Sequence, residues 1–163
     1  MNGLRDTNFR NAQLIALLLP LALIAGALGS QVFGGLIPCE MCHWQRWPHY
    51  AAIIVAAVSF AIPHRPMRML FVLIAAVLIA LSGGIGIFHA GVEYHWWPGI
   101  TPCSTDVAHG DPMQIMIEQL GKPIIRCDAA QWSLFGISLA GFNAIISLAG
   151  AVAIFVLAAK RPK

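Results

Sequence analysis

The sequence predicts an all-α integral membrane protein, a four-helix bundle with two outward-facing loops. Three observations carry that prediction. The 163 residues are 58% hydrophobic and only 10% charged, with a mean hydropathy of +0.74, where soluble domains carry about 25% charged residues. The apolar residues fall into four long runs, at about 12–32, 44–62, 69–90 and 132–159, separated by short polar segments. Finally, seven of the ten Lys and Arg residues cluster at the two chain ends and in the turn between the second and third runs.

Each run is justified by length and neighbours. A span needs about 20 residues at 1.5 Å per residue. Ala12 to Val32 meets this, with Pro20 inside it tolerated as a kink supported by neighbouring helices. The basic start and Ala25-Gly26-Ala27 also fit a cleaved signal peptide, but the apolar run continues past that site. Trp47 to Ile62 is short for a span, so the second helix is expected to begin earlier, near Cys42, placing a Cys-x-x-Cys at the membrane surface. Pro63-His64-Arg65-Pro66 is a tight basic turn before the third run, and Lys160-Arg161-Pro162-Lys163 closes the fourth. Small residues four apart, at Ala25/Gly29, Ser82/Gly86 and Gly136/Ala140, are candidates for close helix contact in lipid.

Orientation follows from Arg5, Arg10, Arg65, Arg68, Lys160, Arg161 and Lys163. With four spans these share one side, and the positive-inside rule makes it cytoplasmic. The loops at about 33–43 and 91–131 then face outward, and all five tryptophans lie near the outer ends of spans, as an interfacial belt would. Asp111 to Leu120 reads as a short helix lying on the membrane, with Pro112 at its first position and Met113, Met116, Ile117 and Leu120 on one face. One domain is expected at this length. No basic run for nucleic acid and no glycine-rich phosphate loop is present.

The chemistry sits in Pro38-Cys39-Glu40-Met41-Cys42-His43-Trp44-Gln45-Arg46, and all four cysteines fall in the outward loops. Four cysteines allow three pairings, and the spacing favours Cys39–Cys42 and Cys103–Cys127. A ring closed over two intervening residues braces little chain, so the first pair is read as redox-active rather than structural. Arg46 lies one helical turn after Cys42, where a guanidinium favours a thiolate; Glu40 opposes it, and His43 adjoins it. The segment has two other readings. Cys39-x-x-Cys42-His43 is formally a c-type haem attachment motif, which would make the chain a haem-bearing electron-transfer subunit. Zinc could use Cys39, Cys42, His43 and another histidine, but no second paired motif completes such a site; no metal is expected.

Cys-x-x-Cys-x-x-Gln-Arg between the first two spans, a cysteine pair in a second outer loop and both ends inside resemble the disulfide bond formation protein B (DsbB) family over nearly the whole chain. His89-Ala90-Gly91-Val92-Glu93 with Trp96-Trp97, and Cys127-Asp128 followed by Trp132 and Phe135-Gly136-Ile137-Ser138, resemble its alpha-proteobacterial branch. The resemblance implies a monomeric inner-membrane thiol:quinone oxidoreductase that reoxidises a periplasmic DsbA-type oxidase and hands electrons to ubiquinone. It implies that Cys103–Cys127 meets the partner at Cys103, that Cys39 meets Cys127, that Cys42 faces the quinone as thiolate, and that Arg46 and His89 belong to the quinone site. The energetics agree with that direction. A DsbA-type couple near −120 mV lies more than about 60 mV above a glutathione-like pool, so it needs a stronger acceptor. A vitamin K epoxide reductase-like protein shares this chemistry, but its Cys-x-x-Cys lies later in the chain.

Overall fold

In the computed structural model, residues 2–101 and 126–160 are described, with side chains from Thr7 onward. Four helices account for nearly all of them: α1 (Asn2–Val32), α2 (Glu40–Ala61), α3 (Arg65–Glu93) and α4 (Leu139–Ala159). α3 packs along both α2 and α4, and α1 closes the ring against α2 and α4. Among the described residues, three segments are long and apolar enough to cross a membrane: Thr7–Val32, Arg65–Glu93 and Leu139–Ala159. The 22 residues of α2 also reach about 33 Å at 1.5 Å per residue, but Glu40, His43, Gln45, Arg46 and His49 lower the hydropathy of its first turns.

The helix ends follow local chemistry. α2 begins at Glu40, slightly before the expected start, because the Cys39 sulfur caps it by accepting from the Cys42 N–H at 3.2 Å. It stops at Ala61, two residues before Pro63. α3 starts with Pro66 in its first turn, where the missing N–H costs nothing. α1 starts ten residues before the apolar run and passes through Pro20 without ending.

Two sequence expectations need correction. The last helix begins at Leu139 rather than Trp132. Ser133–Leu134 and Ile137–Ser138 pair as a two-stranded hairpin, β1 and β2, around Phe135 (φ 52°) and Gly136 (φ 78°). Two positive-φ residues in the loop give the turn whose twist suits paired strands. The Tyr94 hydroxyl ties the hairpin down, donating to Gly136 O and accepting from Ser138 N, both at 2.9 Å. Ser138 then caps α4. The small-residue pairs also divide. At Gly86 a Cβ would meet Ala140 O at 3.0 Å and Ala144 N at 3.1 Å, so α3 and α4 touch backbone to backbone there. Ala25 is exposed and Gly29 faces open space, while Gly136 lies in the hairpin; neither pair joins helices.

The core is built of small side chains: Ala12, Ala16, Ala52, Ala56, Ala75, Ala76 and Ala151 with Val72, Ile79 and Ile154. Large apolar side chains point outward on every helix, among them Leu18, Ile54, Val77 and Val152. That inversion suits a bundle whose surroundings are as apolar as its interior, where close backbone approach replaces the hydrophobic effect. The interhelical hydrogen bond from Gln13 Nε2 to Ser59 Oγ (2.9 Å) is buried within it. At one end the Arg65 and Arg68 guanidinium groups lie over the Phe9 ring, at 5.8 and 5.2 Å, so α1 and α3 begin side by side. The segment 111–120 and Cys103 lie outside the described residues.

Candidate functional site: a dithiol at the mouth of a bundle cavity

At the other end of the bundle, Cys39 and Cys42 meet. Their position follows from the cap: with Cys39 at the N-cap and Cys42 three residues on, the backbone folds one sulfur over the first turn toward the other. The sulfurs lie 2.6 Å apart. Cys39 is 3% exposed, and it packs with Met41, Val92 and Cys127 in a small cluster closed by Trp44 and Phe88. Hydrogen bonding to Cys42, then burial, push the Cys39 thiol well above its ordinary value, so Cys39 keeps the proton the pair shares.

Cys127 is disulfide-bonded and fully buried. The structure therefore brings three of the four sequence-predicted cysteines into one place, although α2 and α3 lie between Cys127 and the other two along the chain. Gln131 holds the two loops in register, donating from Nε2 to Ile37 O (2.6 Å) and accepting at Oε1 from Ile37 N (3.0 Å). Nearby, Arg126 grips Asp128 through two hydrogen bonds and holds its carboxyl below the usual carboxylate range.

Arg46 and His89 take different places. Arg46 donates to Gln31 Oε1 of α1 at 2.7 Å. His89 turns to the sulfurs: its Nε2 lies 3.5 Å from Cys39 Sγ and 3.7 Å from Glu93 Oε1. Cys39, Cys42 and His89 offer ligand atoms within 4.8 Å of one another. His43, the histidine of the haem-type and zinc readings, is exposed and stands apart from that cluster.

A cavity of about 280 Å³ opens beside the pair. Its walls are apolar faces of α1 and α4, including Ala22, Gly26, Phe142 and Ile146, and its polar lining includes Gln31, Cys42, Arg46 and His49. Below the sulfurs a buried polar layer crosses the bundle. Asn143 Nδ2 donates to Gln45 Oε1 (2.9 Å), and Gln45 Nε2 is 2.7 Å from His89 Nδ1. Ser82 Oγ donates to Gln45 O (2.7 Å), and His49 Nε2 reaches Ser82 Oγ and Asn143 Oδ1 at 2.9 and 3.0 Å.

Sequence reasoning missed Asn143 and Gln31, and took Glu93 and Gln45 only as parts of motifs. Signals existed for two of these. Glu93 is four residues after His89 and so shares its helix face, and Asn143 is a polar residue inside an apolar run. Nothing in the sequence pairs Gln31 with Arg46.

Comparison with known proteins agrees with this picture. A family model described as disulfide bond formation protein DsbB matches residues 9–157. The chain is similar to disulfide bond formation protein B of Polaromonas sp. (strain JS666 / ATCC BAA-500), 31% identical over 150 residues, covering 86% of this chain and 87% of the relative. It is 28% identical to the protein of that name from Aromatoleum aromaticum, covering 86% and 89%. Over a shorter stretch of 93 residues it is 38% identical to disulfide bond formation protein B 1 of Pseudomonas entomophila, covering 56% and 53%. No solved structure matches. A free dithiol packed near the disulfide-bonded Cys127, and a family match along nearly the full length, lead to one conclusion: this chain belongs to the DsbB family of membrane proteins for disulfide bond formation.

Proposed function

We propose that the protein is a quinone-dependent thiol oxidase that reoxidises a periplasmic DsbA-type dithiol oxidase and passes the electrons to ubiquinone. The observation that carries this reading is the cavity: both residues of the dithiol, Cys39 and Cys42, and the Arg46 guanidinium line a space walled on its α1 and α4 sides by apolar helix faces. Its volume of about 280 Å³ falls just below the range of ligand pockets, about 300–1,000 Å³. That suits a single ring held beside the dithiol. When bound there, a quinone supplies a two-electron acceptor.

The chain's own residues do the rest. A partner thiolate attacks Cys103 of a Cys103–Cys127 disulfide, and the electron pair leaves on Cys127. The Cys127 thiolate attacks Cys39 in its disulfide with Cys42, forming Cys39–Cys127 and leaving a thiolate on Cys42. Contact of Cys127 with the Cys39 cluster supports the second exchange, which needs the sulfurs in line. Arg46 favours the charge on Cys42 and would hold a quinone oxygen, exchanging its present bond to Gln31 Oε1. The shared position of Phe9, Arg65 and Arg68 supports four spans with the basic ends cytoplasmic and the cysteine loops periplasmic.

The test is quinone reduction by a reduced DsbA-type protein in detergent. Cys39→Ser and Cys42→Ser are each expected to abolish it; turnover retained in either would remove the reading. Arg46→Ala is expected to raise the KM for quinone about tenfold or more, the worth of a charge-assisted hydrogen bond. An unchanged KM would reduce Arg46 to an anchor.

A further inference from the structure

Cys39, Cys42 and His89 have the look of a metal triad, with the Glu93 carboxylate 3.7 Å from His89 Nε2. The hydrogen bonds behind the triad say otherwise. We infer that a chain of two amides, Asn143 and Gln45, fixes His89 as a hydrogen-bond donor to the Cys39 sulfur, so that His89 serves the dithiol as a donor and is withheld from metal. The inference about His89's role rests on the proposed part of Cys39 as a reacting sulfur; the inference about its tautomer does not.

The direction of the chain is set by backbone carbonyls, which can only accept. Asn143 Nδ2 lies 3.2 Å from Ser82 O, so the nitrogen of that amide must occupy this end. The same Nδ2 donates to Gln45 at 2.9 Å, so the Gln45 atom there is its oxygen. The Gln45 nitrogen then faces the other way, 3.4 Å from Met41 O and 2.7 Å from His89 Nδ1. An amide nitrogen offers only donors, so His89 Nδ1 must accept. The neutral ring therefore carries its proton on Nε2.

The surroundings of Nε2 agree. Cys39 Sγ is at 3.5 Å and Glu93 Oε1 at 3.7 Å, and the backbone of Cys127 supplies a further hydrogen-bond acceptor to the ring. Each of these groups has a lone pair that can accept from an Nε2–H. A metal-ligating histidine has the opposite arrangement: its far nitrogen donates to a carboxylate or carbonyl, leaving the near nitrogen bare for the metal. Here the far nitrogen meets a donor.

The consequence for sulfur chemistry is direct. Cys39 Sγ already accepts from the Cys42 N–H at 3.2 Å, and the His89 N–H adds a second donor. When a disulfide to Cys39 is cleaved by a thiolate attacking its other sulfur, the electron pair leaves on Cys39, between two donors placed to receive it. His89 thus contacts the reacting atom, while Gln45 and Asn143 are positioning residues.

The experiment is nitrogen NMR on the full chain in detergent, reduced with a dithiol and labelled with ¹⁵N-histidine, the His89 signal assigned by its loss in His89→Gln. The expected result is a protonated Nε2 and an unprotonated, hydrogen-bonded Nδ1. A protonated Nδ1 would overturn the inference. Gln45→Met should shift the Nδ1 signal to that of an unbonded lone pair; an unmoved signal would equally overturn it. Cobalt(II) added to the reduced protein gives an independent reading. If His89 is not a ligand, His89→Gln changes cobalt affinity less than about twofold, whereas a loss of about tenfold or more, the scale on which ligand and supporting groups act, would make it one. None of these readouts involves quinone, so failed quinone reduction with the tautomer intact would sink the proposed function and the role of His89 at a reacting sulfur, but not its tautomer.

Discussion

Cys39 and Cys42 share a motif and a cluster, yet their surroundings differ. Both line the cavity, but Cys39 is buried against Met41, Val92 and Cys127, while Cys42 is only half-buried. The hydrogen bond to Cys42 and burial push the Cys39 thiol up. A raised value means that the proton stays on Cys39 through the range near 8.5 where an ordinary thiol ionises. The reduced protein is therefore expected to be alkylated first at Cys42 near neutral pH, with Cys39 reacting only under more alkaline conditions. Peptide mass spectrometry after brief labelling checks this, and equal labelling of the two at neutral pH would contradict it. Burial acts in the same direction by excluding the reagent, so the pH profile rather than one labelling rate is the informative quantity.

Two contacts between elements position this pair. The first is the close approach of α3 and α4 at Gly86, where the neighbours of an added Cβ are the backbone atoms Ala140 O and Ala144 N. Backbone cannot turn aside as a side chain can. Gly86→Ala should therefore destabilise the bundle by about 1–3 kcal/mol, as overpacking does, measured by thermal unfolding in detergent. It should also disturb the Asn143 layer, because Asn143 Nδ2 would lie 3.1 Å from the new methyl group. The second contact is the two-way hydrogen bond of Gln131 with Ile37, which joins the loop before Cys39 to the loop after Cys127. Gln131→Ala removes both bonds. At about 1 kcal/mol each, the loss should increase amide hydrogen exchange around residues 36–38 while leaving the protection of α1 and α3 unchanged. Unchanged exchange at 36–38 would show that the loops are held by the cysteine cluster alone.

The whole molecule separates a small-residue core from large apolar residues on its outside, and sets its polar layer directly beneath the sulfurs. If the four helices cross the membrane as proposed, single cysteines placed at Thr7 and Ser104 in a background without the native four should be labelled from opposite sides of intact inner-membrane vesicles by a membrane-impermeant maleimide. Labelling from the same side would refute the arrangement.

Much of this was legible in the chain. Composition and the four apolar runs give helices in a membrane, because a lipid core demands long uninterrupted stretches with every backbone group satisfied internally. Cys39, Cys42 and Arg46 are adjacent in sequence, so helical spacing alone puts them together. Local spacing did not foresee the hairpin at 133–138, since an apolar run of Trp, Leu, Phe and Ile reads the same in a strand as in a helix. It also could not bring His89, Gln45 and Asn143 into one chain of hydrogen bonds, since these residues lie on three different helices. The sequence by itself determined which residues could do sulfur chemistry. Only the tertiary structure decided which way each polar side chain faces, because hydrogen-bond direction is fixed by the partner across the bundle, here the carbonyl of Ser82 acting through two amides on a ring more than forty residues from Gln45.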